Sequence, residues 1–272
     1  MRTIFFLLLF VAGGLSAQVS VMSYNIRYNN TFDGDNWWEN RKADVAHLIG
    51  FYAPDLLGLQ ESLPEQTAYI AEQLPEYAYI GFGRDGEGTQ SEGVPIFYRK
   101  DRYNCLANQV YWLSETPRQF SKGWDAALPR ITVFGTFLDQ QTQDTLYVFN
   151  CHFDHVGKIA RKKSAQLLLQ LIQSKGLTGK RVVVMGDLNS SPEDEPVLLL
   201  RGSLQDAFTH SQYPAYGPVG TFNGFDTASE LPHRIDYIFS QQMETLRYRC
   251  IDDRRSNFLY PSDHLPVWAL LK

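Results

Sequence analysis

The chain of 272 residues is poor in cysteine, has no surplus of basic charge, and carries no long apolar run beyond its first residues. With only 3 cysteines (Cys105, Cys151, Cys250), a disulfide-dense scaffold is excluded, at most one bridge can form, and their spacing suits no metal knuckle. Cys151, inside a strand-like run, reads as a small core residue. Past the N-terminus no stretch approaches the roughly eighteen apolar residues of a membrane helix. Lys+Arg 25 against Asp+Glu 30 leaves a net charge of −5, which argues against tight gripping of a long polyanion. Repeats, low-complexity tracts and Pro/Ser linkers are also missing, so a single domain is expected. What is present is core material: 17 Phe, 15 Tyr and 5 Trp place the chain among globular proteins rather than disordered ones.

The one apolar run is Ile4 to Ala12, preceded by Met1-Arg2 and followed by Gly13-Gly14-Leu15-Ser16-Ala17. That is the layout of a secretory signal peptide and is too short to span a bilayer. Cleavage after Ala17, or after Ser16 because Leu15 is large for its place before the cut, leaves a mature domain at 18–272 that is secreted or periplasmic.

Alternation predicts strands at Val19–Ile26, Asp55–Gln60, Tyr77–Phe82, Pro95–Arg99, Tyr103–Leu113, Ile131–Leu138, Thr145–His152, Arg181–Gly186, Ile235–Ser240, Leu246–Ile251 and Val267–Leu271. Helical spacing covers Trp38–Tyr52, Pro64–Leu74 and Gly157–Lys175, with a further helix opened by Ser191 as cap and Pro192 at its first position. The mixture of alternating and hairpin-spaced strands points to an α/β (α+β) fold of mixed sheets flanked by helices. Gly81-Phe82-Gly83-Arg84-Asp85-Gly86 fits a dinucleotide fingerprint, but another strand rather than a helix follows it, and that reading is set aside.

The informative pattern is where polar residues interrupt apolar strands. Asn25 stands near the end of the first strand, Glu61 follows Asp55–Gln60, and His152-Phe153-Asp154-His155 follows Leu146–Cys151. Asp187-Leu188-Asn189 follows Val182–Gly186, Asp236 lies inside an apolar strand, and Asp263-His264 precedes the last strand. Groups at the ends of core strands can converge at a sheet edge, and a carboxylate inside a strand must find a partner or a cation. In extended chain Asp187 and Asn189 share a face. Each has a plainer alternative: Glu61 as a helix cap, Asp236 paired with Arg234, Asp263 in a turn. His152 with His155 suggests zinc, but carboxylate and amide surroundings favour a hard cation such as Mg²⁺. Arg130 is a phosphate-binding candidate because a guanidinium matches phosphate in bidentate fashion, with a plain salt bridge as its alternative.

Six stretches, taken in order, resemble the endonuclease/exonuclease/phosphatase superfamily with its DNase-I-like fold. They are Ser23–Arg27, Leu59–Glu61, Asn150–Asp154, Met185–Asn189, Arg234–Tyr237 and Ser262–His264. Ser91–Tyr98 looks closest to secreted bacterial members, which makes Glu92 a substrate-binding candidate beside Arg130. The resemblance implies a four-layer sandwich, two central mixed β-sheets flanked by helices, with the site at one rim. It implies Glu61 as principal Mg²⁺ ligand, with Mn²⁺ the other cation of choice, and Asn25 and Asp263 beside the metal or phosphate. Asp187 is implied as the base for the attacking water and Asn189 as an amide that fixes water or phosphate. His264, oriented by Asp236, would donate to a phosphoryl oxygen, and His152 is implied as general acid or second donor. The expected activity is Mg²⁺-dependent hydrolysis of a phosphodiester, nucleotide or RNA-like, by a secreted monomer without stable binding to duplex DNA. A DNA endonuclease, a phosphomonoesterase, a lipid-headgroup phosphodiesterase and a non-catalytic binding protein are the alternatives.

Overall fold

In the computed structural model, which describes residues 18–272, two six-stranded sheets face each other. The first holds β1 (Val19–Asn25), β2 (Leu56–Gln60), β3 (Tyr77–Ile80), β4 (Ile96–Arg99), β11 (Thr245–Cys250) and β12 (Val267–Leu271), in the order β11-β12-β1-β2-β4-β3. The second holds β5 (Tyr103–Trp112), β6 (Ile131–Asp139), β7 (Thr145–His152), β8 (Val182–Asp187), β9 (Gln205–Asp206) and β10 (Asp236–Gln241), in the order β5-β6-β7-β8-β10-β9. Both are mixed: β1–β2 and β7–β8 run parallel, the other pairs antiparallel. The leader expected at residues 1–17 lies outside the described residues.

Strand alternation builds the layers. In β1, Val19 and Val21 enter the core between the sheets, while Met22 and Tyr24 enter the core under α1 (Trp38–Tyr52) and α2 (Pro64–Gln73). In β8, Val183 and Met185 face between the sheets, while Val182 and Val184 pack beneath α3 (Lys158–Ser174) and α4 (Glu195–Arg201). The order helix, sheet, sheet, helix is the four-layer sandwich that the resemblance implied.

Local chemistry sets the helix ends. Helix α1 stops at Ala53, held left-handed (φ 40°) before Pro54. Helix α2 starts at Pro64, and the Gln66 side chain accepts the Leu63 N–H at 3.2 Å, as a capping residue should. The Asp125 carboxylate accepts the Ile159 and Ala160 N–H groups at the start of α3. Helix α4 corrects the sequence reading, because Ser191–Asp194 forms a turn instead of its first residues. The Ser191 N–H donates to the Asp194 carboxylate at 2.8 Å, and Pro196, not Pro192, occupies the first helical turn. Strand β9, of two residues, is too short to leave a pattern in sequence.

The space between the sheets changes character along the strands. Residues of one parity run Val21, Ser23, Asn25 in β1, Leu56, Gly58, Gln60 in β2, and Val148, Asn150, His152 in β7. They run Val183, Met185, Asp187 in β8, and the antiparallel β10 begins with Asp236 opposite Asp187. Apolar residues fill one end and polar ones the other. Asn150 ties the sheets together just below the polar rim: its amide donates to the Leu59 and Pro95 carbonyls (2.8 and 3.0 Å) and accepts from Gln60 Nε2 (2.7 Å). Gly58 leaves room for it, since a Cβ there would lie 2.6 Å from the Asn150 side chain.

Candidate active site

Asn25, fully buried at the end of β1, joins the two halves of the rim. Its Nδ2 donates to Asp187 Oδ2 (3.0 Å) and Glu61 Oε1 (3.2 Å), and lies 3.4 Å from His264 Nε2. Glu61 leaves β2 in the left-handed region (φ 58°), a backbone state held by its surroundings in a residue with a Cβ. That turn aims its carboxylate back at β1, where it accepts the Tyr28 N–H at 3.2 Å instead of capping α2. Asp263, on the loop before β12, faces Glu61 across Arg27, whose guanidinium stands 3.8 Å from Asp263 and 3.9 Å from Glu61. Burial pushes the Asp263 carboxyl above its ordinary range, and the Glu61 charge adds to this against the pull of His264.

The second half is built on β8 and β10. Gly186 has φ 145°, and a Cβ at that position would fall 1.9 Å from the Cys151 carbonyl oxygen, so only glycine lets β7 and β8 meet there. Asp187 follows, level with both His152 and Asp236. Burial, then the Asp236 charge, push the Asp187 carboxyl up to about 7. Asp236 does not pair with Arg234, whose guanidinium holds Asp206 at 2.7 Å instead. It accepts the His264 Nδ1–H at 2.8 Å and the Thr221 hydroxyl at 2.6 Å. Burial opposes a charge on His264, but Asp236 and Asp187 outweigh it and hold the imidazole well above its ordinary value. Phe222 packs edge-on against that ring, with 5.0 Å between centroids.

His152 is in the opposite state. Burial and the Arg130 guanidinium push it well below its ordinary value. Arg130 Nη1, which can only donate, lies 3.0 Å from Nδ1, as suits a neutral ring that accepts there, while Nε2 faces Asp187 Oδ2 at 3.4 Å and Asn189 Nδ2 at 3.2 Å. Asn189 reaches the cleft by a route other than the expected one. Extended chain ends at Asp187, and Asn189 is left-handed (φ 46°), with its N–H on Asp187 Oδ1 at 2.9 Å and its side chain on the Phe153 carbonyl at 3.0 Å. His155 meets Arg130 Nη2 at 3.0 Å, so a guanidinium stands between the two histidines where the zinc reading needed an ion. Glu92 pairs with Arg84 at 2.7 Å, and burial raises its carboxyl against the pull of that arginine.

These groups line one cleft of about 540 Å³. Glu61, Glu92, Arg130, His152, Asp187, Asn189, Asp263 and His264 face it, while Asn25 and Asp236 stand fully buried behind. Sequence reading missed Arg27, Tyr28, Arg84 and Phe222 on its wall and Thr221 behind it. Arg84 lies in the glycine motif set aside above, and its place depends on a loop fold that no spacing reveals.

Among the described residues, ligand atoms of Asp187, Asp236 and His264 lie within 4.8 Å of one another. That trio is a poor seat for a hard cation, because Asp236 already holds His264 and Thr221 by hydrogen bonds. Glu61 and Asp263 fit better, being like-charged oxygen donors that face the cleft and meet Arg27 only at long range.

The domain described as Endonuclease/Exonuclease/phosphatase family matches residues 22–264, which span all these groups. A mannosyl-6-phosphatase from Bacteroides thetaiotaomicron is 36% identical, with a TM-score of 0.88 over 93% of this chain and 99% of that one. An endonuclease/exonuclease/phosphatase family protein from the same organism is 35% identical, with a TM-score of 0.88 over 94% and 97%. An endonuclease/exonuclease/phosphatase from Bacteroides vulgatus is 34% identical, with a TM-score of 0.89 over 94% and 99%. With the fold, the rim and the matched span in agreement, the chain belongs to the endonuclease/exonuclease/phosphatase family and is a hydrolase of phosphate esters.

Proposed function

We propose that the protein is a Mg²⁺-dependent phosphohydrolase that acts on a small phosphate ester, with a monoester as its first substrate class. The observation that carries this reading is the convergence of Asn25, Glu61 and Asp263 with Asp187, Asn189, Asp236 and His264 around one cleft. Glu61 and Asp263, with Asn25 beside them, would hold the cation, which when bound supplies positive charge to the phosphoryl oxygens. Mn²⁺ suits the same oxygen donors.

Asp187, pushed up to about 7, is basic enough to take a proton from the attacking water. Its orientation is fixed by Asn25 and by the Asn189 N–H. His264, charged and tied to Asp236, donates from Nε2 to a phosphoryl oxygen. The acid role expected of His152 passes to His264, since His152 is the imidazole held neutral. Arg130 lines the same cleft and offers its guanidinium to the phosphate.

The mannosyl-6-phosphatase likeness supports the monoester. A nucleotide or RNA-like phosphodiester is the second reading, favoured by the Arg27 guanidinium stacked 4.4 Å over the Tyr28 ring, a flat face in the cleft that a base could cover. One chain completes the cleft, so a monomer suffices. No helix of the described residues is long and apolar enough to cross a membrane. The leader at residues 1–17 would deliver the domain at 18–272 outside the cytoplasm, and sequencing the N-terminus of exported protein tests that: an intact Met1 would sink it.

The activity test compares a chromogenic monoester, a chromogenic diester, RNA and DNA, with Mg²⁺ and with EDTA. Activity on the monoester that EDTA abolishes and Mg²⁺ restores is expected. Full activity in EDTA, or turnover of the diester alone, would overturn the metal or the monoester reading respectively.

A further inference from the structure

The Arg84–Glu92 pair has no part in the chemistry above, yet it stands in the cleft. Both side chains are largely buried, 15% and 17% exposed, and they meet as a two-pronged fork: Nη2 to Oε1 at 2.7 Å and Nη1 to Oε2 at 3.0 Å. Its position is fixed from two sides. Gly93, next to Glu92, exchanges backbone hydrogen bonds with Ser62, next to Glu61 (2.8 and 3.3 Å). On the other side, Arg84 and Glu92 share a small void with Arg130 and His152. The pair therefore spans the wall between the proposed cation seat and the phosphate-facing arginine.

The loop does not need the ion pair to close. The Arg84 N–H donates to the Glu92 carbonyl (2.9 Å), the Asp85 N–H to the Ser91 hydroxyl (2.9 Å), and Trp112 Nε1 to the Arg84 carbonyl (2.7 Å). A Cβ on Gly83 would lie 2.4 Å from the Ser91 carbonyl oxygen, so the two loop arms are already in tight contact. Backbone and hydroxyl groups hold the loop, which leaves the charged fork available for something else.

We propose that Arg84 and Glu92 form the leaving-group subsite and select a polyhydroxylated leaving group, so that the substrate is a sugar phosphate. This rests on the phosphohydrolase reading above. A forked carboxylate–guanidinium pair keeps lone pairs and N–H groups free along its edge, acceptors beside donors. Neighbouring sugar hydroxyls each donate and accept, and match that edge. An apolar or aryl leaving group would desolvate the pair and return no hydrogen bonds. A second phosphate there would meet the Glu92 charge.

The test uses the full-length protein with Mg²⁺ and two monoesters, glucose 6-phosphate and phenyl phosphate. In Glu92→Gln and Arg84→Met, kcat/KM for glucose 6-phosphate should fall roughly tenfold or more, through KM, the scale of a lost charged hydrogen bond. With phenyl phosphate the same variants should hold or gain, since no hydroxyl is there to lose and less charge is left for the ring to desolvate. Melting temperature checks the fold, and Arg84→Lys, which keeps the charge and loses the fork, reads the same split should the others fail to fold. Equal loss on both substrates, or no loss on either, overturns the subsite. A parent protein that hydrolyses phenyl phosphate and ignores glucose 6-phosphate also overturns it while the phosphohydrolase reading stands. A parent inactive on both, but active on the diester, sinks the monoester reading and the subsite with it.

Discussion

Asp154 and Asp187 sit at the same rim, each 1% exposed, and are in opposite chemical states. Burial alone would raise both. Around Asp154 four backbone N–H groups, from Ala127, Leu128, Val156 and Gly157, donate to the carboxylate and bring it down to about 2. Asp187 has fewer donors and a second carboxylate opposite it, and rises to about 7. Equal exposure thus goes with one acid locked in its ionised form and one poised to exchange a proton. Low exposure alone does not mark the reactive group: deep burial is the larger cause of the Asp187 rise, and the ring of N–H donors decides the state of Asp154. Asp154 instead fixes the loop that carries Leu128 and Arg130 to the cleft, and the approach to α3.

The sharpest way to break this contrast is Asp187→Asn. Activity should fall by roughly 10²- to 10⁴-fold, the usual weight of a general base, while melting temperature holds or rises because Asp236 loses a like charge beside it. Retained activity would assign the base elsewhere. Asp236→Asn comes next, with about a tenfold to hundredfold loss at neutral pH. Asp236 raises the His264 value, so its removal lowers it, and the pH–rate profile should lose activity on its alkaline side first and recover partly on acidification. An unshifted profile would deny the pair its role.

Asp154→Asn is the reverse experiment, costing about 2 kcal/mol of stability by denaturant titration with kcat within about fivefold of the parent. The stability gap should depend on pH with a definite sign. Asp154 is depressed in the folded state, so its contribution is full above the unfolded carboxylate value near about 4. That contribution drains away as pH falls toward the folded value of about 2, and parent and variant should converge over that window. A gap that persists unchanged at low pH would mean the four N–H groups bind a neutral side chain equally well.

Much of this was legible in the chain. Helix α1 and strands β7 and β12 run over the residues that alternation and helical spacing assigned, because their buried faces are uninterrupted. Asp187, Asp236 and Asp263 stood out as charges set against apolar strands. Their partners did not. Asp236 reaches His264 rather than Arg234, because Arg234 is claimed by Asp206 in a strand too short to notice. Left-handed Glu61 and Asn189 were invisible too, since nothing in Gln60-Glu61 or Leu188-Asn189 advertises a positive φ. Arg84 enters the cleft only because its loop folds back on Ser62 and Trp112, a tertiary decision.

Strand β1 lies between β2 and β12, the second strand of the chain and the last. Asn25 and His264, 239 positions apart, meet across that seam at 3.4 Å. A chain cut before Ser262 still carries Glu61 and Asp187, but neither Asp263 nor the histidine that Asp236 charges. The two halves of the cleft are therefore joined through the β1–β12 seam, and removing β12 is expected to release Asp263 and His264 from their places beside Glu61 and Asn25.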